Sequence, residues 1–300
     1  MKTLLVILGP TAVGKTALAM DMAQRYASPI INADSRQLYA GMEIGTAAPT
    51  PEQRARVRHY FVGTLPLDAY YSAARYEADV MALTADLFRT HDTLILAGGS
   101  MLYIDVVCRG IDDIPTITDE TRTIMRQRLH AEGLDTLKAE LRLLDPAYYA
   151  RADLHNTQRI VHALEVCYQT GLPFSHFHTG QPKARPFRIV KIGLDRPRPE
   201  LFQRIGDRVD DMLRQGLLDE ARALLPQRHL NALNTVGYKE MFAVLDGTWT
   251  LSFAAERMKK NTRVYAKKQL TWFHRDTDIT WFHPDDTAAI QAYIDKHIPT

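Results

Sequence analysis

The chain has 300 residues, 46% of them hydrophobic, and a formal net charge of only +2. That size holds one large domain or two unequal ones, and so small a net charge announces no nucleic-acid partner by itself. The two cysteines, Cys108 and Cys167, form no C-x-x-C pair, which argues against a disulfide framework or a zinc site and for a reducing interior. No apolar run approaches transmembrane length, and residues 1–8 read as a core strand rather than a signal peptide, so the expectation is a soluble cytoplasmic protein.

Leu4–Leu8 is a short apolar run that feeds directly into Gly9-Pro10-Thr11-Ala12-Val13-Gly14-Lys15-Thr16. The octapeptide satisfies G-x-x-x-x-G-K-[ST], the phosphate-cradling P-loop. Gly9 and Gly14 allow backbone N–H groups to point inward at a polyphosphate, Lys15 adds a cation, and Thr16 can place its hydroxyl on a magnesium ion. The helical run that follows aims its positive dipole end at the same anion. Three further apolar runs, Pro29–Ala33, Thr93–Ala97 and Arg188–Leu194, read as buried strands separated by helical patterns. The predicted fold is therefore α/β, a P-loop NTPase-like parallel sheet. Residues 71–89 form one predicted helix, and Leu102–Cys108 begins another. The P-loop, Asn32–Gln37 and Gly98-Gly99-Ser100 leave the carboxyl ends of their strands and should converge on one pocket.

From about Asp112 to Ala184 the pattern is wholly helical. Thr118 caps a predicted helix to His130, and Asn156 caps one to Thr170 that Gly171 and Pro173 stop. Ile160, Ala163, Leu164 and Cys167 share one face. Residues 112–184 thus read as a helical insertion, with Pro182–Pro186 as a hinge, inside a core made of residues 1–111 and 185–300 whose C-terminal part is helical. The segment from about Ser252 to His274 is the last strong helix in the pattern.

Asp34 at a strand end can bind magnesium, act as a base or cap the next turn. Ser35, Arg36 and Gln37 add polar groups, and Gln37 has an amide suited to a base edge. The third strand ends in Gly98-Gly99-Ser100 where many P-loop hydrolases carry a magnesium carboxylate, which argues against an NTP-hydrolysing motor. Arg204 and Arg208, four apart, share a helix face and form a candidate diphosphate clamp, a solvated face being the plainer alternative. From Arg257 to Arg275 there are seven Lys or Arg and no acid. Lys259, Lys260, Arg263 and Lys267 fall within half of the helix surface, which fits an RNA backbone. Met258, Tyr265 and Trp272 are expected to pack on the core.

With these motifs in view, the chain resembles the tRNA dimethylallyltransferases over nearly its whole length. Gly9–Thr16 is similar to the family's G-P-T-A-x-G-K-T loop. Asp34–Tyr39 with Gly41–Ala47 is similar to D-S-x-Q-x-Y-x-G-x-x-I-G-T-A, a far more specific signature. Asn156–Val166 resembles N-x-x-R-x-x-R-A-L-E-V, with His162 where the family often has Arg. Thr235–Glu240 and Lys268–Phe273 match later tRNA-contacting segments, and Gly98-Gly99-Ser100 stands for a usual G-G-T.

The resemblance implies transfer of a dimethylallyl group from dimethylallyl diphosphate to N6 of the adenosine 3′ of the anticodon. On that reading Lys15, the loop amides, Thr16 with Mg2+, and Arg208 or Arg204 neutralise the leaving diphosphate. Asp34 accepts the amine proton, and Ser100 sits near the scissile oxygen. tRNA contacts are expected from Asp34, Ser35, Arg36, Gln37, Ser100, Arg122, Gln158, Arg159, Ile160, Val161, His162, Gly237, Tyr238, Lys239, Lys267, Lys268, Gln269 and Trp272. The loop base has to leave its stack to reach the donor. The protein is expected to act as a monomer, away from membranes, and ATP is not read as a substrate although the loop is a nucleotide-binding pattern. The alternatives are a small-molecule or nucleotide kinase and a nucleotide-switched RNA-binding module.

Overall fold

The computed structural model describes residues 2–298. In chain order, β1 (Thr3–Leu8), α1 (Lys15–Arg25), β2 (Ile30–Ala33), α2 (Pro51–Arg56), β3 (His59–Tyr60), α3 (Ala73–Leu87), β4 (Thr93–Gly98) and α4 (Met101–Arg109) open the structure. The helices α5 (Asp119–Glu132), α6 (Leu134–Leu144), α7 (Pro146–Tyr149), α8 (Thr157–Thr170) and α9 (Phe174–Phe177) follow. The chain then continues through β5 (Arg188–Leu194), α10 (Arg198–Arg214), α11 (Leu217–Leu224), α12 (Tyr238–Leu245), α13 (Leu251–Phe273), β6 (Ile279–Phe282) and α14 (Thr287–His297).

The six strands form one parallel sheet in the order β3-β2-β4-β1-β5-β6. Every residue of β1 is buried, as a central parallel strand covered on both faces requires. β1 pairs β4 on one side and β5 on the other, so connections depart in opposite directions from beside the loop after β1. A crevice at that switch point is the expected ligand site of an open parallel sheet. The edge strands β3 and β6 escaped the sequence reading because they are short and only partly buried, and so lack a continuous apolar run. α14, which buries only Ile290 and Ile294, follows the segment taken as the last strong helix.

The chain divides into two compact units, Met1–Arg109 with Arg185–Thr300, and Gly110–Ala184. The second unit has its own core, in which Ile160, Ala163, Leu164 and Cys167 of α8 pack with Met125, Leu137 and Leu141. Thr118 and Asn156 cap α5 and α8 as their sequences dictate, and Gly171 ends α8 in the left-handed region.

Candidate active site

The loop after β1 closes tightly on its neighbour. A Cβ on Gly9 would meet Leu194 O at 2.4 Å, and Gly9 has a φ of +145°, so only glycine fits there. α1 begins at Gly14 with no side-chain cap, which leaves its first amides open to an anion. A cavity of about 590 Å³ lies over this N-terminus, lined by Thr11, Ala12, Gly14, Lys15 and Thr16 from the loop. Asp34 and Gln37 after β2, Gly98 and Gly99 at the end of β4, Arg204, Asp207, Arg208 and Asp211 of α10, and Tyr265 and Gln269 of α13 also line it. Gly98 fits against β2 only as glycine, since a Cβ would meet Ala33 O at 2.2 Å. The three segments thus converge as the strand polarity requires.

Electrostatics mark this cavity for an anion. Lys15 Nζ folds back to donate to the carbonyls of Gly9 (3.0 Å) and Pro10 (2.7 Å). Burial, and then the Arg208 charge, lower its pKa to about 7, against the opposing pull of Asp34. Arg208 is likewise held below the usual guanidinium range by burial, with Asp34 working the other way. Lys15 and Arg208, both half-buried, face Asp34 across the loop, while Asp207 and Asp211 line the cavity beside Arg204 and Arg208; a diphosphate at the open amides of α1 would be neutralised by Lys15 and Arg208. Asp34 Oδ1 accepts the backbone N–H groups of Arg36 (2.9 Å) and Gln37 (3.4 Å), so the carboxylate caps its own turn and still lines the cavity.

A second cavity, about 480 Å³, adjoins the first. Thr11, Asp34, Thr46, Arg208 and Tyr265 line both, so Asp34 stands where the two meet. Ser35, Arg36, Lys239 and Asn261 belong to the second chamber. Its wall at Gly45-Thr46 is held from outside. Glu220 accepts the N–H groups of Ile44 (2.8 Å) and Gly45 (2.9 Å) and the Tyr238 hydroxyl (2.6 Å), while Gln37 Nε2 donates to the carbonyls of Thr46 and Ala47.

The structure redistributes several residues read as tRNA contacts. Gln269 is 2% exposed; its Oε1 accepts Thr11 N–H and its Nε2 donates to Gly99 O, so it is a strut between two loops. Tyr238 and Ile160 are fully buried, one on Glu220 and one in the helical core, because both fall on the apolar face of an amphipathic helix. Gly237 starts α12 with its N–H on Glu240. Arg36 donates to the carbonyls of Asn231 and Ala232, and Trp272 Nε1 donates to Asp105 of α4. Ser100 lines neither cavity; its hydroxyl accepts Ser35 N–H at 2.8 Å and so orders the Asp34 turn. Arg204, which lines the first cavity, donates through Nε to Ala12 O. In the helical unit Gln158 and Arg159 are exposed, Val161 is half-buried, His162 pairs with Glu165, and Arg122 lies on α5.

The basic run on α13 also divides. Lys259 is paired with Asp210 and Glu256, while Lys260, Arg263 and Lys267 face a separate groove beside β6 and Lys268 stays exposed. Tyr265, expected in the core, lines both chambers of the site. Helical periodicity separates inward from outward, and a cavity wall counts as inward.

Residues 37–276 match the family model for IPP transferase. The chain is 61% identical over 292 residues to tRNA dimethylallyltransferase 1 of Phocaeicola vulgatus, covering 97% of each chain. It is 56% identical over 294 residues to the enzyme of the same name from Bacteroides thetaiotaomicron, covering 98% of this chain and 96% of that one. Among solved structures it resembles the full-length tRNA isopentenylpyrophosphate transferase of Bacillus halodurans, with TM-score 0.71, 33% identity and coverage of 99% and 96%. It also resembles a eukaryotic dimethylallyltransferase acting on tRNA, with TM-score 0.81, 27% identity and coverage of 98% and 78%. No described helix is long and apolar enough to cross a membrane.

Proposed function

The chain belongs to the tRNA dimethylallyltransferase (IPP transferase) family, and from that premise we propose that it moves a dimethylallyl group from dimethylallyl diphosphate to N6 of the adenosine 3′ of the anticodon. The observation that carries this reading is the pair of adjoining cavities with Asp34 at their junction. The donor's diphosphate occupies the chamber over the P-loop, and the extruded adenine occupies the other. An allylic C1–O bond ionises readily once its leaving group is stabilised. The open amides at the start of α1, with Lys15 and Arg208, supply that stabilisation. The N6 lone pair is delocalised into the ring, so the amine gains from a carboxylate that accepts its hydrogen bond and takes its proton as the C–N bond forms. Asp34 Oδ2, which has no protein hydrogen-bond partner among the described residues, is suited to that part.

Magnesium fits the loop as a shared ligand. The one cluster of three metal-binding side chains among the described residues lies elsewhere, at Glu200, His283 and Asp285. Here Thr16 offers a single hydroxyl, and a Mg2+ ion normally takes one or two protein ligands together with phosphate oxygens and water. When bound, it would add charge neutralisation on the leaving diphosphate.

The test is incubation with labelled dimethylallyl diphosphate, magnesium and bulk tRNA. Label that becomes acid-precipitable with the RNA, without ATP, supports the reading. No transfer, or transfer that needs ATP, points to the RNA-binding or kinase alternative.

A further inference from the structure

Arg196 follows the carboxyl end of β5, and its side chain runs behind the P-loop instead of into the chamber. Nε donates to Val13 O at 2.9 Å. Nη1 and Nη2 donate to the two oxygens of Asp285 at 3.0 and 2.7 Å, and Nη1 also meets Glu200. His283 ties the acids together, with Nε2 at 3.2 Å from Glu200 and Nδ1 at 3.8 Å from Asp285. Glu200, His283 and Asp285 alone would pass for a cation site, but a guanidinium with a side chain only 6% exposed already satisfies its acids.

The consequence for the loop follows from peptide geometry. The structure has no cis peptide among its described residues, so the Val13 C=O and the Gly14 N–H point in opposite directions within their shared plane. A carbonyl drawn outward by Arg196 turns the Gly14 amide toward the chamber that Gly14 lines. We infer that Arg196, fixed by Asp285 and Glu200, is a positioning residue for the transfer reaction that presents the Gly14 amide to the donor's diphosphate. The inference rests on the prenyl-transfer reading above. Lysine cannot replace it, because one ammonium lacks the planar fork that reaches a carbonyl and two carboxylates at once.

The experiment compares wild type with Arg196→Lys and Asp285→Ala, titrating magnesium and inorganic diphosphate by calorimetry. Donor and tRNA KM values, kcat and the melting midpoint are measured alongside. Arg196→Lys is expected to raise the diphosphate Kd and the donor KM by about tenfold or more, as for a lost charge-assisted contact, with tRNA KM unchanged. Asp285→Ala alters a side chain that is 67% exposed and should shift the same two constants in the same direction, without loss of folding. It decides the matter should Arg196→Lys not fold. Wild type that binds diphosphate while the folded variants bind it equally well overturns the role of Arg196 and leaves the reaction standing. Wild type that binds no diphosphate overturns the reaction itself.

Discussion

Replacing Asp34 with asparagine separates two jobs of one side chain. Asp34 Oδ1 caps its own turn by accepting the N–H groups of Arg36 and Gln37, and an asparagine oxygen can accept both. The charge, and with it the ability to take a proton, is lost. A positioned general base contributes about 10²–10⁴ in rate, which at about 1.36 kcal/mol per factor of ten is roughly 3–5 kcal/mol of barrier. Turnover of Asp34→Asn should therefore fall by at least about a hundredfold. The donor KM should move little, because losing the carboxylate relieves repulsion of an incoming anion but also removes a charge that holds the Lys15 pKa up. tRNA affinity should hardly change, since the turn that carries Ser35 and Gln37 is preserved. Asp34→Ala should match the kinetic loss and also melt lower, by about 1 kcal/mol for each turn hydrogen bond removed. Single-turnover transfer of labelled prenyl group with saturating donor, together with filter binding of tRNA, reads both effects. Wild-type turnover in Asp34→Asn would refute the assignment of the base.

Three further outcomes follow from named contacts. Burial and the Arg208 charge lower the Lys15 pKa to about 7, while a diphosphate beside it favours the charged form; binding above that pH takes up a proton. Below about pH 7 Lys15 adds no pH dependence to the donor Kd, and above it the Kd should climb by up to about tenfold per pH unit. A calorimetric series across that range checks the sign, and a flat Kd would contradict it. Lys267→Glu with Lys268→Glu removes two exposed cations from α13 and should weaken tRNA binding while lowering the salt slope by about 1–2. An unchanged slope would remove this face from the RNA interface. Gln269→Leu leaves Thr11 N–H and Gly99 O without their buried partner and should cost about 1–3 kcal/mol of stability or loop order. Chemical denaturation and donor KM would register it, and wild-type values in both would contradict the strut.

The loop and its chemistry were legible in the sequence because they are local. Gly9–Thr16 carries its geometry in eight consecutive residues, and Asp34 follows a strand whose polarity fixes where it ends. The buried strands β1, β2, β4 and β5 announced themselves as apolar runs. What stayed hidden depends on partners far along the chain. Gln269 reaches Thr11 across 258 positions, and Arg196 reaches Val13 across 183. Gln269 and Tyr238 fall in segments that resemble tRNA-contacting ones, and sequence does not show that their polar groups find protein partners far along the chain. Tyr265 erred in the other direction, since the wall of an internal chamber repeats with the same helical period as a core. For Arg196 the local signal was a pair of charges four apart, Arg196 and Glu200, which is ordinary on any helix start.

The reaction itself is tested most directly by digesting tRNA to nucleosides after incubation with the protein, dimethylallyl diphosphate and magnesium, and analysing them by mass spectrometry. One adenosine per substrate tRNA, immediately 3′ of the anticodon, should carry a dimethylallyl group on N6, and its formation should slow by at least about a hundredfold in Asp34→Asn. Unmodified adenosine, or a prenyl group on any other position, would contradict the pairing of an anion chamber with an adenine chamber across Asp34.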